Sequence, residues 1–506
     1  MQKWIEDLVF YEIYPNSYMD LNGDGYGDFK GIISKLDYIK SLGFNAIWLN
    51  PHFDSPFKDG GYDVKDYFHA SPRFGSDDEF KLMLDMMHKN GIKLIIDLVA
   101  GHTSEENKIF LESAKPEKNE YSDMFVWNNN PWVIDPEYRW IQGKADRNGA
   151  YMVNFFATQP ALNYGFNKIT HDWQMSYKDP RVKKTREYLI SVIMHYLDMG
   201  VDGFRVDMAD SLVKEDWETR EATIWLWNEI FKVVREKHPK AIFVSEWSHP
   251  YRALKSGFDI DFMLNHDNSF YRLLSRAEEE NPSYRSFLEI DGNVDIFEKL
   301  KEVEKAINDN KDIGYVSFIS CNHDTPRPTR FLKGRALRLF YDTILTLPGV
   351  PFIYYGDEIG MNYQDIPSKE CGFGRTGSRT PMQWDNTKNQ GFSKADEIFL
   401  PVDNKVSLED VKKDKTSIYY HIKELIELRK NTKSLKGNDF KVIYTDDKRL
   451  LMYRRNDLLV IINPDNKTKV LDDISGKVIF SDGEYKQNKN NLEVLPQSCI
   501  IVKIDG

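Results

Sequence analysis

Over the first 430 residues or so, short apolar runs alternate with longer stretches whose apolar residues recur at helical spacing. The short runs lie at 8–14, 44–49, 93–99, 201–206, 241–245, 259–264, 313–319 and 351–355. They are rich in Ile, Val, Leu and Phe and bounded by turn-forming residues, as buried parallel strands are. Eight strands separated by helices predict an α/β fold, a closed (β/α)8 TIM barrel, in preference to a doubly wound open sheet. Two stretches break the alternation. Residues 103–172 are polar and rich in Trp and Asn, too long for a loop, and predict a subdomain inserted after the third strand at the barrel's carboxyl face. Beyond the helical pattern near 418–430, short β-rich segments at 440–444, 450–454, 458–462, 478–480 and 499–504 predict a C-terminal antiparallel β-sandwich. The expected organisation is a barrel over 1–102 and 173–430, an insert over 103–172 and a C-terminal domain over 431–506.

Side chains alternate along a strand, so Arg205 and Asp207 share one face at the carboxyl end of the fourth run. A guanidinium beside a carboxylate favours its ionised form and fixes its orientation, which a carboxylate nucleophile requires. Alone, such a pair reads as a structural ion pair. Three further acids also end strands: Asp97, Glu246 and Asp324. Glu246 closes an apolar run against Trp247, and apolar surroundings raise a carboxyl pKa as a general acid requires. Asp324 follows His323. The carboxyl ends of barrel strands meet at one mouth, and two carboxyls about 5–5.5 Å apart there suit a retaining glycosidase.

The segments 97–102, 203–207, 244–247 and 322–324, with 159–163 near the end of the insert, resemble the ordered motifs of glycoside hydrolase family 13, the α-amylase family. The resemblance implies Asp207 as nucleophile, Glu246 as general acid/base and Asp324 as the acid clamping the sugar. It also implies Arg205 as the orienter of the nucleophile, His102 and His323 as sugar contacts, and Tyr62 as a stacking platform. Asp63 and Arg379 resemble a pair with which oligosaccharide α-glucosidases grip a non-reducing end. The expected function is therefore a retaining, exo-acting α-glucosidase of short malto- or isomalto-oligosaccharides. The alternatives are an endo-acting α-amylase and a transglycosylase or isomerase using the same intermediate; a non-catalytic sugar-binding protein would have shed the acids. Met208 and Ala161 stand at positions where specificity-linked residues are usual, and leave α-1,4 against α-1,6 open.

Asp20, Asn22, Asp24, Tyr26 and Asp28 alternate with glycines in one loop and predict a structural Ca²⁺ site, with Mg²⁺ as the alternative. Gly101 replaces an Asn that many α-amylases use at a different calcium site. A net charge of −11 with dispersed Lys and Arg excludes a nucleic-acid surface as the expectation. Three cysteines, Cys321, Cys371 and Cys499, give neither a disulfide framework nor a zinc pattern, and no apolar segment reaches membrane length. The first residues carry no signal-like apolar core, so a reduced, cytoplasmic enzyme is expected.

Overall fold

The computed structural model describes residues 1–132, 135–263, 269–370, 375–488 and 491–504. Eight parallel strands form one sheet: β1 (Phe10–Ile13), β2 (Ala46–Leu49), β3 (Lys93–Val99), β4 (Gly203–Asp207), β5 (Ile242–Ser245), β6 (Ile260–Phe262), β7 (Tyr315–Ser317) and β8 (Phe352–Tyr354). From β1 to β7 each pairs with its neighbour in sequence, and β8 pairs with β1 through Phe10 and Phe352. A parallel bridge between Ile319 and Phe352 closes the cylinder. The expected TIM barrel is the fold. Residue 264 of the sixth predicted run, and Cys371, lie outside the described residues.

Alternation along the strands sorts their side chains into two layers. Phe10, Ala46, Trp48, Ile95, Ile242, Val244, Ile260, Phe262, Tyr315 and Phe352 fill the barrel interior. Their neighbours Tyr11, Ile47, Leu49, Ile96, Phe204, Phe243, Val316 and Ile353 face the surrounding helices. Each such fully buried side chain contributes about 1.5–3 kcal/mol. On the inward parity, the next positions towards the carboxyl end turn polar: Glu12, Asn50, Asp97, Arg205, Asp207 and Glu246. An apolar plug thus supports a charged layer.

Local chemistry sets the entry into these strands. Helix α1 (Asp77–Lys89) starts at a capping box, Ser76 with Glu79. Helix α2 (Lys183–Met199) stops at Gly200, whose φ of 112° is left-handed, and the chain turns into β4. A Cβ at Gly203 would stand 2.0 Å from the Ile242 carbonyl oxygen, so only glycine lets β4 lie against β5 here. That contact sets Arg205 beside Val244 and so beside the strand that delivers Glu246.

Within the insert, Trp127–Asn128, Trp140–Gln142 and Ala150–Met152 form a small antiparallel sheet. Bridges from His102 to Ala161 and from Phe125 to Leu162 tie it to the barrel mouth. After helices α3 (Arg335–Thr346) and α4 (Ile418–Asn431), the chain forms a five-stranded and a three-stranded antiparallel sheet. Leu451, Tyr453, Val460, Ile462 and Ile501 on one face of the larger sheet join the barrel's outer core. Leu450, Met452, Leu459, Ile461, Ile500 and Val502 on the other pack with Leu492 and Val494 of the smaller sheet. Among the described residues no helix is long and apolar enough to cross a membrane.

Candidate active site

Arg205 is the hub of the charged layer. Its Nη1 lies 2.6 Å from Asp97 Oδ1 and 3.0 Å from Asp207 Oδ1, and its Nη2 lies 2.6 Å from Glu246 Oε2. The guanidinium is fully buried, so desolvation strengthens each of these contacts. Asp97 is held in turn by Trp48 Nε1 at 2.8 Å and the Tyr62 hydroxyl at 3.2 Å. One arginine therefore anchors to β3 and presents the two outer carboxyls, from β4 and β5, to a common space.

Met208, next after Asp207, has a left-handed φ of 43°. Its N–H donates to Glu246 Oε2 at 3.0 Å, so the backbone turn that ends β4 also fixes Glu246. The sequence expectation that Arg205 keeps Asp207 strongly acidic needs correction. Burial first, and the adjacent Glu246 second, push Asp207 well above the usual carboxylate range against the pull of Arg205.

Asp324 faces the same space from beyond β7. Its Oδ1 takes Arg375 Nη1 at 2.9 Å and Arg379 Nη2 at 2.8 Å, and its Oδ2 lies 3.0 Å from His323 Nε2. Burial works to raise Asp324, but His323, Arg375 and Arg379 outweigh it and hold the group well below the usual range. Tyr62 stacks on His323 with ring centres 5.1 Å apart. His102 is buried, which pushes it down to about 4 and leaves it neutral, with Nε2 3.1 Å from the Tyr62 carbonyl.

These groups line a pocket of about 150 Å³ bounded by Asp59, Tyr62, His102, Phe155, Phe156, Asp207, Met208, Glu246, Asp324 and Arg375. That is below the range of about 300–1,000 Å³ usual for drug-sized ligands, and suits a small ring system. Two expected residues are displaced. Asp63 is fully buried away from the pocket: it accepts from Ser55 Oγ and from the Lys58 and Asp59 N–H groups, each at 3.0 Å, and so shapes the loop. Burial pushes Asp63 up to about 6. Arg379 lies beneath the wall, paired with Asp324 and Glu370 and donating to the His323 carbonyl at 2.9 Å. The acid–arginine pair at the pocket is instead Asp59 with Arg375. Gln159 of the insert steadies Asp59 at 2.7 Å, and Phe156 lies under the Arg375 guanidinium at 5.8 Å.

Sequence reasoning also passed over Glu12, Trp48 and Asn50. Their signal was parity: each continues the inward face of an apolar strand with a polar group.

The glycine-rich loop wraps its own side chains. Asp20 accepts from the Gly23 and Gly25 N–H groups at 2.6 and 2.8 Å, and Asp28 from Leu21, Asn22 and Gly31 at 2.7, 3.1 and 2.7 Å. Asn22 and Asp24 accept from Asp24 and Tyr26 N–H groups, both at 2.9 Å. The Tyr26 ring packs on Phe399 and under Arg73, away from the loop's carboxylates, so only its main-chain oxygen could serve as a ligand there. Oxygen donors at alternate positions match the order of an EF-hand loop, but Gly31 stands where that loop carries its bidentate Glu.

Comparison with known proteins agrees with this layout. Residues 12–438 match the family model described as the catalytic domain of alpha amylase. An oligo-1,6-glucosidase of Halalkalibacterium halodurans is 30% identical, covering 91% of this chain and 90% of its own. Alpha-amylase 3 of Dictyoglomus thermophilum is 29% identical over 99% of this chain and 94% of its own. The solved trehalose-6-phosphate hydrolase of Bacillus licheniformis superposes with a TM-score of 0.81 at 26% identity, covering 99% of each chain. The family match spans the barrel and its insert, and the chain belongs to the α-amylase family of glycoside hydrolases.

Proposed function

We propose that this protein is a retaining, exo-acting α-glucosidase of short α-glucans. The observation that carries the reading is one buried arginine holding Asp207 and Glu246 at a small pocket that Arg375 and Asp59 close. In the first step Glu246 gives its proton to the glycosidic oxygen as that bond breaks, and Asp207 forms a covalent bond to the anomeric carbon. In the second, Glu246 takes a proton from water, which displaces Asp207 and regenerates both groups. Asp324, His323, His102 and Tyr62 hold the sugar ring. The Arg375–Asp59 pair ends the binding cleft, so a chain enters by its non-reducing end and cannot thread through.

Names of relatives, oligo-1,6-glucosidase in several cases and a glucan 1,6-alpha-glucosidase in another, support an exo-glucosidase of short substrates. The loop from Asp20 to Asp28 would hold Ca²⁺ through Asp20, Asn22, Asp24, Asp28 and the Tyr26 carbonyl, remote from the chemistry and serving to brace the fold. Product analysis on isomaltose, maltotetraose, trehalose, sucrose and an end-blocked maltodextrin tests the reading. Release of glucose from free ends and inertness of the blocked chain are expected. Internal cleavage of the blocked chain would overturn exo action, and rearranged or lengthened sugars without net glucose would make the enzyme a transglycosylase or isomerase.

A further inference from the structure

Glu12 is an acid that the two-step scheme does not use. It lies at the carboxyl end of β1 on the inward parity, 1% exposed, directly beneath the pocket. Its Oε1 is 2.9 Å from His323 Nδ1 and 3.1 Å from Asn50 Nδ2, while Oε2 has no hydrogen-bond partner. A carboxylate so placed is costly unless a cation stands beside it. Among the described residues its one ion-pair partner is His323.

The other nitrogen of that ring has equally definite company. His323 Nε2 lies 3.0 Å from Asp324 Oδ2 and 2.7 Å from the Tyr62 hydroxyl. Each ring nitrogen therefore faces a carboxylate oxygen. A neutral imidazole has one N–H and one lone pair, and would turn that lone pair on one of the two acids. Asn50 Nδ2 also comes within 3.1 Å of Nδ1, but its two hydrogens are directed to Glu12 and to Asp97 at 3.3 Å. The two carboxylates fix that amide orientation, since a flip would set the amide oxygen against both.

We infer that Glu12 is a positioning residue that holds His323 as an imidazolium, one N–H fixed on Glu12 and the other on Asp324 at the sugar pocket.

The surroundings agree. The ring sits between Tyr62 and Tyr14, nearly parallel to both at 5.1 and 6.4 Å, with the Trp48 edge at 6.1 Å. Faces of aromatic rings favour a cation. Asp97 on β3, Tyr354 on β8 and Cys321 beyond β7 also face Glu12, and none of them supplies a positive charge. Arg379 reaches the His323 carbonyl, not its ring. Burial works to lower His323, but Asp324 and Glu12 outweigh it and set the imidazole at about 9.

The inference rests on the reading of this pocket as a glycosidase site and adds a role within it. With Oδ2 tied to a cation and Oδ1 to two arginines, Asp324 meets the sugar hydroxyls as an ionised carboxylate in one orientation at any neutral pH.

Glu12→Gln tests it, because the amide keeps the volume and the acceptor oxygen and removes only the charge. In protein labelled with ¹⁵N-histidine, with the His323 resonances assigned by a His323→Asn variant, wild type is expected to give an imidazolium signature at pH 7.5 and Glu12→Gln a neutral ring. The alkaline limb of kcat/KM should move down by a pH unit or more in Glu12→Gln. A neutral ring in wild type at pH 7.5, or an unchanged ring in Glu12→Gln, overturns the inference. Glu12→Asp, which keeps the charge but withdraws it, should lower the titration midpoint of His323 by less than Glu12→Gln does. It serves as the test if the amide variant fails to fold, and an unmoved midpoint counts against the role. The resonance needs no turnover, so an enzyme inactive on every α-glucan would sink the glucosidase reading and leave this one standing.

Discussion

The protein buries two histidines in similar company and uses them differently. His323 lies between Glu12 and Asp324, with Arg375 and Arg379 on Asp324. His421 of α4 lies 3.0 Å from Asp342 of α3 and 3.8 Å from Asp482 of the C-terminal sheet, with Arg335 and Arg338 on Asp482 at 2.8 and 2.7 Å. The difference is in one nitrogen. His421 Nδ1 faces a guanidinium, Arg338 Nη2 at 3.0 Å, and a guanidinium can only donate. His421 is thereby held with its proton on Nε2, directed at the two acids. That proton also occupies the position from which a metal ion would bind Asp342, His421 and Asp482. The acids and the histidine of the junction cluster are buried, and only its arginines reach solvent. The pocket cluster leaves one side of Asp324 free for a ligand. Composition alone does not separate a fastener from a binding site; the identity of the atom facing each lone pair does.

The largest effect expected from breaking this contrast is at the pocket. Asp207→Asn and Glu246→Gln should each lower kcat by on the order of 10³-fold or more while the melting temperature stays near wild type. Near-normal turnover in both would remove the catalytic assignment.

At the junction the outcome should reverse. Asp482→Ala leaves two guanidiniums without their acid, and because both are partly exposed the loss should fall below the roughly 3–5 kcal/mol of a fully buried pair. Denaturant unfolding should show that loss, while kcat per folded molecule is unchanged. A stable variant with altered kcat would erase the distinction between the two clusters.

A smaller change belongs to the pocket wall. Arg375→Ala should open the cleft and raise cleavage of an end-blocked maltodextrin about tenfold relative to a free-ended one, which is about 1.4 kcal/mol of discrimination. An unchanged ratio would place exo selectivity elsewhere.

The pH responses sharpen the comparison further. His323 is raised to about 9, so its contribution to stability is complete below the unfolded value of about 6.5 and is lost as pH rises through about 9. At the junction, Asp342 is raised to about 6 by burial, while the arginines and His421 lower Asp482 to about 2 against its own burial; these contributions oppose each other. The melting temperature of wild type should therefore fall more steeply between pH 6.5 and 9 than that of Glu12→Gln, in paired melting curves. For catalysis, the raised Asp207 must be ionised to attack, so the acid limb of kcat/KM should lie above the ordinary carboxylate range. EDTA, which tests the proposed Ca²⁺ loop, should give the mildest effect, a melting temperature lower by a few degrees with kcat retained, and an unchanged melting curve would count against the site.

The sequence made the barrel legible because its strands are short apolar runs between helices of another period. It also exposed Asp207 and Glu246, since a charge ending an apolar run is conspicuous, whereas the expected strand ends at Asp97 and Asp324 prove to be a position inside β3 and a loop beyond β7. What it concealed was reach across loops. Asp59 and Asp63 are four residues apart on either side of two glycines, and only the folded turn shows that Asp63 spends its oxygens on backbone N–H groups while Asp59 meets Arg375. Arg375 and Arg379 are likewise exchanged by the short helical turn at Thr376–Ser378 between them. Glu12 was hidden by its context, a single acid inside an apolar run, although its parity already set it inside the barrel.

The left-handed turn at Met208 carries a consequence for engineering this enzyme. Its main-chain N–H donates to Glu246, while the residue also lines the pocket. A replacement at 208 can therefore act on two things, the lining of the pocket and the backbone that aims the acid. Branched replacements such as valine or threonine, which tolerate this conformation poorly, would shift the aim of the acid, while asparagine or glycine would change the lining alone. A randomised library at this position should accordingly separate into variants altered in sugar preference and variants altered in proton delivery, sorted by the conformational freedom of the residue more than by its size.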